Sequence, residues 1–347
     1  MEEVVILNKR NHSFNIKKVF ISVPFEGLAR DISLDFAYGF KSLGLEVYLF
    51  DDTFILKKYS SILKNKKEDY KLLAQFYNKD FMYEYLNFEP DLFFSLSNSF
   101  YNKKTLDIGH RIGVKNTIYL TSFFKENNFD FAYYRDKIDG IFSIREEKVI
   151  EGIKNFKLYP GVDISKFFPT KKEAIYNVIF IGAFSDYRLE VIRFLSENEI
   201  KVDIWGNGWE ALKKYSNEFF NIHEEKLTYE NLNRILNSTK IFLSLPQDIL
   251  KNSYSKPWIN PRLFTAAACG VAIIGYFKDS SIIDNFKENE EILLYSSKED
   301  LYSKIKLLLQ DEGYRITLGQ RAARRTASDH TITKRAEYII RIISTQL

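Results

Sequence analysis

Residues 177–196 read NVIFIGAFSDYRLEVIRFLS, and the reading of this stretch decides the fold. The run Asn177–Ile181 is a strand, apolar from Val178 onward as a strand buried on both faces must be. Gly182 then turns the chain, and a helix follows from about Asp186 to Ser196. The same unit recurs downstream. Strand Val202–Trp205 ends in Gly206-Asn207-Gly208-Trp209, and helix Tyr229–Leu236 leads to strand Ile241–Leu245. Helix Pro261–Cys269 stops at Gly270 and leads to strand Val271–Tyr276; Ile292–Tyr295 and helix Lys298–Leu309 complete a Rossmann-like domain.

The upstream half carries the same alternation. Lys18–Val23 is a strand, and Asp31–Leu43 a helix with Ile32, Phe36, Phe40 and Leu43 on one stripe, stopped at Gly44. Glu46–Phe50 is a strand ending in Asp51-Asp52, Tyr70–Leu86 a helix, and Asp91–Leu96, Thr117–Thr121 and Gly140–Ser143 further strands. Strands separated by helices predict an α/β chain of two doubly wound parallel sheets. The expected division is 1–165 and 170–325, with a linker near 163–175. Residues 326–347 hold a last helix, Thr333–Ile343, with Ala336, Ile339, Ile340 and Ile343 on one face, suited to crossing back to the first domain. Two such domains predict an interdomain cleft at the carboxyl ends of their strands, where ligands of open α/β sheets bind.

Composition agrees. The 347 residues fit two domains, and 45% hydrophobic with 28% charged residues is the balance of a globular chain. A net charge of +4 with interspersed signs disfavours a nucleic-acid partner. The single cysteine, Cys269, excludes an internal disulfide and fits a reducing compartment. The acidic start Met1-Glu2-Glu3 is no signal peptide, and no apolar run is long enough to span a bilayer. The expected location is cytoplasmic. Lys57, Lys58, Lys64, Lys66 and Lys67 read as a solvated helix face, or as peripheral contact with an anionic inner membrane surface.

Three stretches could carry chemistry. In Asn260-Pro261-Arg262-Leu263-Phe264-Thr265-Ala266-Ala267-Ala268-Cys269-Gly270, Asn260 suits an N-cap and Pro261 the first helical position. Such a start offers free N–H groups to a phosphate, and Arg262 adds a forked cation. A buried helix with an incidental arginine accounts for the pattern equally well. In Gly182–Arg188 the turn would let backbone approach a ligand and Arg188 reach a phosphate; a plain βα turn does as well. In Trp205–Trp209 the glycines would admit a flat ligand, or merely a tight turn. His12, His110, His223 and His330 show no metal-ligand spacing, and His110, between two strands, is the best placed for the cleft. No Asp-x-Asp, Gly-x-Ser-x-Gly or Walker A motif occurs. Cys269, on an apolar helix, reads as a packing residue.

Read in order, these pieces resemble the glycosyltransferase group 1 domain of GT-B enzymes, most closely the spore-maturation-protein-B-like branch. The resemblance spans about 156–343. It rests on Pro160-Gly161-Val162-Asp163 with Phe168-Pro169, Val178–Gly182 with Arg188, and Trp205–Trp209. It continues through Tyr229-Glu230-Asn231-Leu232, Asn260-x-Arg262-x-Phe264, Ala268-Cys269-Gly270 and His330-Thr331 with Arg335-Ala336-Glu337. It implies a GT-B fold with an N-terminal acceptor domain and a C-terminal donor domain. The donor would be a nucleoside-diphosphate sugar, with UDP-sugar favoured, and no metal or other cofactor. Gly182, Arg188, Asn260 and Arg262 would lie by the diphosphate and sugar. Tyr229, Thr265 and the loop Trp205, Gly206, Asn207 and Gly208 would lie by the nucleoside. Relatives usually carry Glu where this chain has Thr265, which leaves the ribose a neutral hydroxyl; the Glu eight residues before it in the broader family is here Pro257.

The expectation is metal-independent hexosyl transfer to a glycan, lipid-linked or protein acceptor, with His110 or an N-domain Asp as base if the reaction inverts. The rivals are a sugar-nucleotide epimerase on the same scaffold and a non-catalytic nucleotide- or sugar-binding partner.

Overall fold

A computed structural model describes residues 15–25, 27–59, 67–96, 103–120, 135–144, 152–170, 172–215, 220–225, 227–247, 262–278 and 280–347. The chain forms two compact units, Met1–Tyr159 with Ile332–Leu347, and Pro160–Thr331.

In the first unit, strands β1 (Lys18–Val23), β2 (Glu46–Asp51), β3 (Leu92–Leu96), β4 (Lys115–Leu120), β5 (Gly140–Ser143) and β6 (Lys154–Lys157) form one sheet in the order β2-β1-β3-β4-β5-β6. Every neighbouring pair is parallel. Its helices are α1 (Gly27–Ser42), α2 (Asp52–Lys58), α3 (Lys67–Phe88), α4 (Lys103–Arg111) and, from the end of the chain, α11 (Ile332–Gln346). The stripe read in α1 is the buried one: Phe36 and Phe40 pack on Phe94, with ring centroids at 4.8 and 5.5 Å. Ala336, Ile339 and Ile343 of α11 join the same core. The close α1–α11 approach needs Gly39, where an added Cβ would stand 2.9 Å from the Ile332 carbonyl oxygen. The other face of the sheet is aromatic, with Phe20, Phe50, Tyr77, Phe81, Tyr85 and Phe93 in one cluster.

The second unit holds β7 (Tyr176–Ile181), β8 (Val202–Trp205), β9 (Phe220–His223), β10 (Thr239–Ser244), β11 (Ala272–Tyr276) and β12 (Leu293–Tyr295). All pairs are parallel, in the order β12-β11-β10-β7-β8-β9. Counted from β7 this is the dinucleotide-fold order, and the chain reverses direction between β7 and β10. The helices are α5 (Asp186–Glu197), α6 (Tyr229–Asn237), α7 (Arg262–Ala268), the single turn α8 (Ser280–Ile283), α9 (Lys298–Gln310) and α10 (Glu312–Asp329). Polar caps start several of them. Ser185 accepts from Arg188 N at α5, Thr228 and Asn231 form a capping box at α6, and Ser297 caps α9.

Residues 163–170 are tied into the second unit rather than forming a free linker. Val162 N donates to His330 O, Asp163 accepts from Ser165, and Asn237 bonds both Thr170 N and Phe168 O. Helix α10 is absent from the sequence reading, because its buried positions are Arg315, Leu318, Gly319, Ala322 and Thr326, which give no apolar stripe.

Candidate functional site

The carboxyl ends of β7, β8 and β10 converge where the second sheet reverses, and each arrives there for a local reason. Beyond β7, Gly182 N donates to Trp205 O, Phe184 N to Asn207 O, and Trp209 Nε1 to Gly182 O at 2.9 Å. The loops after β7 and β8 are therefore zipped together. An added Cβ at Gly206 would lie 2.0 Å from Gly182 O, and one at Gly208 3.0 Å from Phe184 Cβ. Both have positive φ, +149° and +87°. The glycines thus admit a neighbouring loop. Trp205 is corrected as a nucleoside contact. It is fully buried, stacked on His223 at 4.0 Å, and its Nε1 donates to Glu225 at 3.2 Å, so no ring face is left for a base. Asn207 remains exposed at the rim of the paired loops.

Arg188 lies at the reversal point itself, 6% exposed. Its Nε and Nη2 donate to Leu245 O at 3.2 and 2.9 Å, and Nη1 donates to Ala183 O at 2.6 Å. The guanidinium also lies 5.0 Å from the Phe180 ring. The side chain expected to reach out to a phosphate instead joins the ends of β10 and β7, because a buried cation must satisfy its donors and two carbonyls are in reach. A positive charge is thereby held in place beneath the crevice.

Arg262 opens the described part of α7 and is half-buried, while Thr265, one turn on, is 8% exposed. Asn260 lies outside the described residues, as do Pro261, Pro257, Lys64, Lys66 and His12. Tyr229 is half-buried at the start of α6, edge-on to Phe167 at 5.4 Å with Lys166 Nζ 4.9 Å from its ring. Cys269 is buried, and burial pushes its thiol up to about 12, so it packs and does not react. Tyrosines expected nowhere in the sequence reading line the β11–β12 side of this edge: Tyr187 and Tyr295 meet at 3.4 Å between hydroxyls, and Tyr276 lies 5.4 Å from Tyr295.

In the first unit His110 is corrected outright. It sits in the last turn of α4, 3.9 Å from Asp139, which immediately precedes β5. A helix between parallel strands runs back along the sheet, so its end lies at the amino ends of the strands, opposite the ligand-binding edge. His110 is therefore no base for a reaction at the carboxyl edge.

The carboxyl end of β2 carries a different group. Arg30 pairs with both oxygens of Asp51 at 2.8 Å. Asp52 beside it is 3% exposed and accepts from Tyr77 Oη at 2.8 Å. Burial pushes its carboxyl up to about 7, the neighbouring Asp51 charge adds to this, and the Tyr77 bond and Arg30 oppose it. The Asp51-Asp52 pair at a strand end was its only signal in the sequence. The folded value lies above the ordinary 3.8. The associated stability is thus complete below pH 3.8 and is lost as pH rises to about 7. Asp52→Asn removes this titration. In urea melts at pH 5 and pH 8 the variant should gain about 2–4 kcal/mol over wild type between the two. Equal pH dependence in both proteins would refute the assignment.

Among the described residues no three His, Cys, Asp or Glu side chains converge as metal ligands, and no helix is long and apolar enough to cross a membrane.

Both sheets and their connections are those of the GT-B fold, and residues 188–341 match the family model described as Glycosyl transferase-like. The match takes in the second unit from Arg188 onward together with most of the last helix, and the fold is that of GT-B glycosyltransferases. Among solved structures, it is similar to sucrose-phosphate synthase from Thermosynechococcus elongatus, with TM-score 0.65 and 10% identity over 94% of this chain and 98% of that one. It is similar to Anabaena HepE in complex with UDP-glucose, with TM-score 0.62 and 12% identity over 95% of this chain and 100% of that one. It is also similar to AviGT4, a glycosyltransferase involved in avilamycin A biosynthesis, with TM-score 0.60 and 11% identity over 96% and 99%. At these identities the likeness is one of fold. No curated protein matches the sequence.

Proposed function

We propose that the chain transfers a hexosyl group from a UDP-sugar to a hydroxyl of a glycan, lipid-linked or protein acceptor, at the cytoplasmic face of a membrane or in the cytoplasm. The observation that carries the reading is the carboxyl edge of the second sheet, which from Arg188 onward lies within the glycosyl transferase-like match and holds a buried cation at its reversal point. Arg262, with Asn260, receives the diphosphate and offsets the charge that develops on it as the glycosidic bond breaks, in place of a divalent cation. Gly182 and Arg188 shape the floor, and Thr265, Tyr229 and Asn207 flank the nucleoside. The UDP complex of HepE, a protein of the same fold, supports the choice of donor. The ordered motifs from Pro160 to Glu337 support placing the chain in the spore-maturation-protein-B-like branch.

The test is a melting-temperature screen against UDP, GDP, ADP and TDP and their sugars, since a ligand that binds only the folded state stabilises it by mass action. UDP compounds should raise the transition, and Arg262→Ala should weaken UDP about tenfold or more, the loss of one charge-assisted contact. A flat screen would remove the donor site, and unchanged UDP affinity in the variant would remove Arg262 from it. Hydrolysis of the bound sugar nucleotide separates an enzyme from a binding partner.

A further inference from the structure

On the second unit, α10 and the 287–291 turn enclose an open groove of about 410 Å³, lined by Arg321, Arg324, Arg325, Lys287, Glu290 and Glu291, with Ser328 at one end. The turn is locked to the helix. Glu291 accepts from Lys287 N at 2.8 Å and from Arg325 Nε at 3.3 Å, and Tyr314 Oη donates to Asn289 O at 3.2 Å. Arg325 is also bonded to Asp329 at 2.6 Å, so its charge is paired within the protein. Arg321 and Arg324 differ: both are exposed, and neither has an ion pair or hydrogen bond among the described residues. They stand three apart on one helix and so project from the same face. Among the described residues the Lys287 ammonium is paired only with Glu290, at 3.8 Å.

We propose that this groove binds a compact phosphate dianion, free or carried on a sugar. Two unpaired guanidinium forks on one rigid face match the oxygens of a phosphate, and Lys287 supplies a third charge. The volume admits a phosphate with one sugar ring, whose hydroxyls can donate to Glu290 and to Ser328 Oγ, whose own proton is donated to Arg325 O. An extended polyanion or a charged lipid surface fits less well. The exposed carboxylates of Glu288, Glu290 and Asp329 surround the cations and repel a broad field of negative charge, whereas a compact ion sits between them. The site shares no residue with the carboxyl edge proposed for the donor, so it stands whether or not that reading holds.

The full-length chain is titrated calorimetrically at low salt with inorganic phosphate and with glucose 6-phosphate, each with and without saturating UDP. The expected result is saturable one-site binding that UDP leaves in place. The Arg321→Ala/Arg324→Ala variant, with an unchanged melting temperature, should bind at least about tenfold more weakly; Arg324→Gln alone should lose less, and Arg262→Ala nothing. The proposal is overturned by absence of saturable heat with both ligands, by displacement with UDP, or by equal affinity in the double variant. It is equally overturned if the chain sediments with phosphatidylglycerol vesicles through Arg321 and Arg324 yet ignores soluble phosphate.

Discussion

Gly319→Val should severely destabilise the second unit. Helix α10 crosses the turn at the end of α7 so closely that an added Cβ at Gly319 would stand 2.1 Å from Gly270 O and 2.8 Å from Gly270 C. Both partners are backbone, so no side chain can swing away. Gly270 cannot yield either, since its φ of +75° is what ends α7 and returns the chain to β11. Relief would require α10 to lift from α7 and β11, exposing Leu318 and Ala322, which are buried at 1% and 0%. Ordinary overpacking costs about 1–3 kcal/mol, and a backbone clash with helix displacement should exceed ~4 kcal/mol, a large part of the ~5–15 kcal/mol that holds a domain together. Gly319→Ala is the milder probe, because it adds the clashing atom alone. It should lower the melting temperature by about 5 °C or more, and a shift within about 2 °C would show that the approach is looser than described.

Arg188→Met should cost both stability and nucleotide affinity. Methionine keeps the length and the contact with Phe180 but leaves Leu245 O and Ala183 O without their donor. Each buried carbonyl so orphaned costs about 1–3 kcal/mol, and the lost guanidinium desolvation offsets part of the sum, for a net loss of about 2–4 kcal/mol in urea melts. The Arg188→Lys variant decides the role. A lysine restores the charge but cannot bridge two carbonyls with a planar fork. If Arg188 positions the 182–185 loop, lysine and methionine should weaken UDP alike. If it touches the diphosphate, lysine should recover most of the affinity.

The fold was legible because its signals are local. The runs VIFI at Val178–Ile181 and VFISV at Val19–Val23, rich in β-branched and aromatic residues, suit strands buried on both faces, and both are strands here. The stripe of Phe36 and Phe40 and the stop at Gly270 likewise depend on neighbours a few positions away. Helix α10 escaped because small and polar residues make its buried face, and their fit is dictated by Gly270, far away in the chain.

The site was legible as a set of segments but not as a set of roles. The sequence alone determined that strand ends at Gly182, Gly206 and Leu245 would meet on one edge, because parallel sheets of alternating βα units allow little else. Only the tertiary structure decided what each residue does there. Arg188 satisfies carbonyls from two strands, the glycines of the Trp205–Trp209 loop admit another loop, and His110 falls at the opposite end of its sheet. The physical reason is the same in each case: a donor's partner, a glycine's neighbour and a helix end's position are set by residues distant in sequence, and no local pattern carries them.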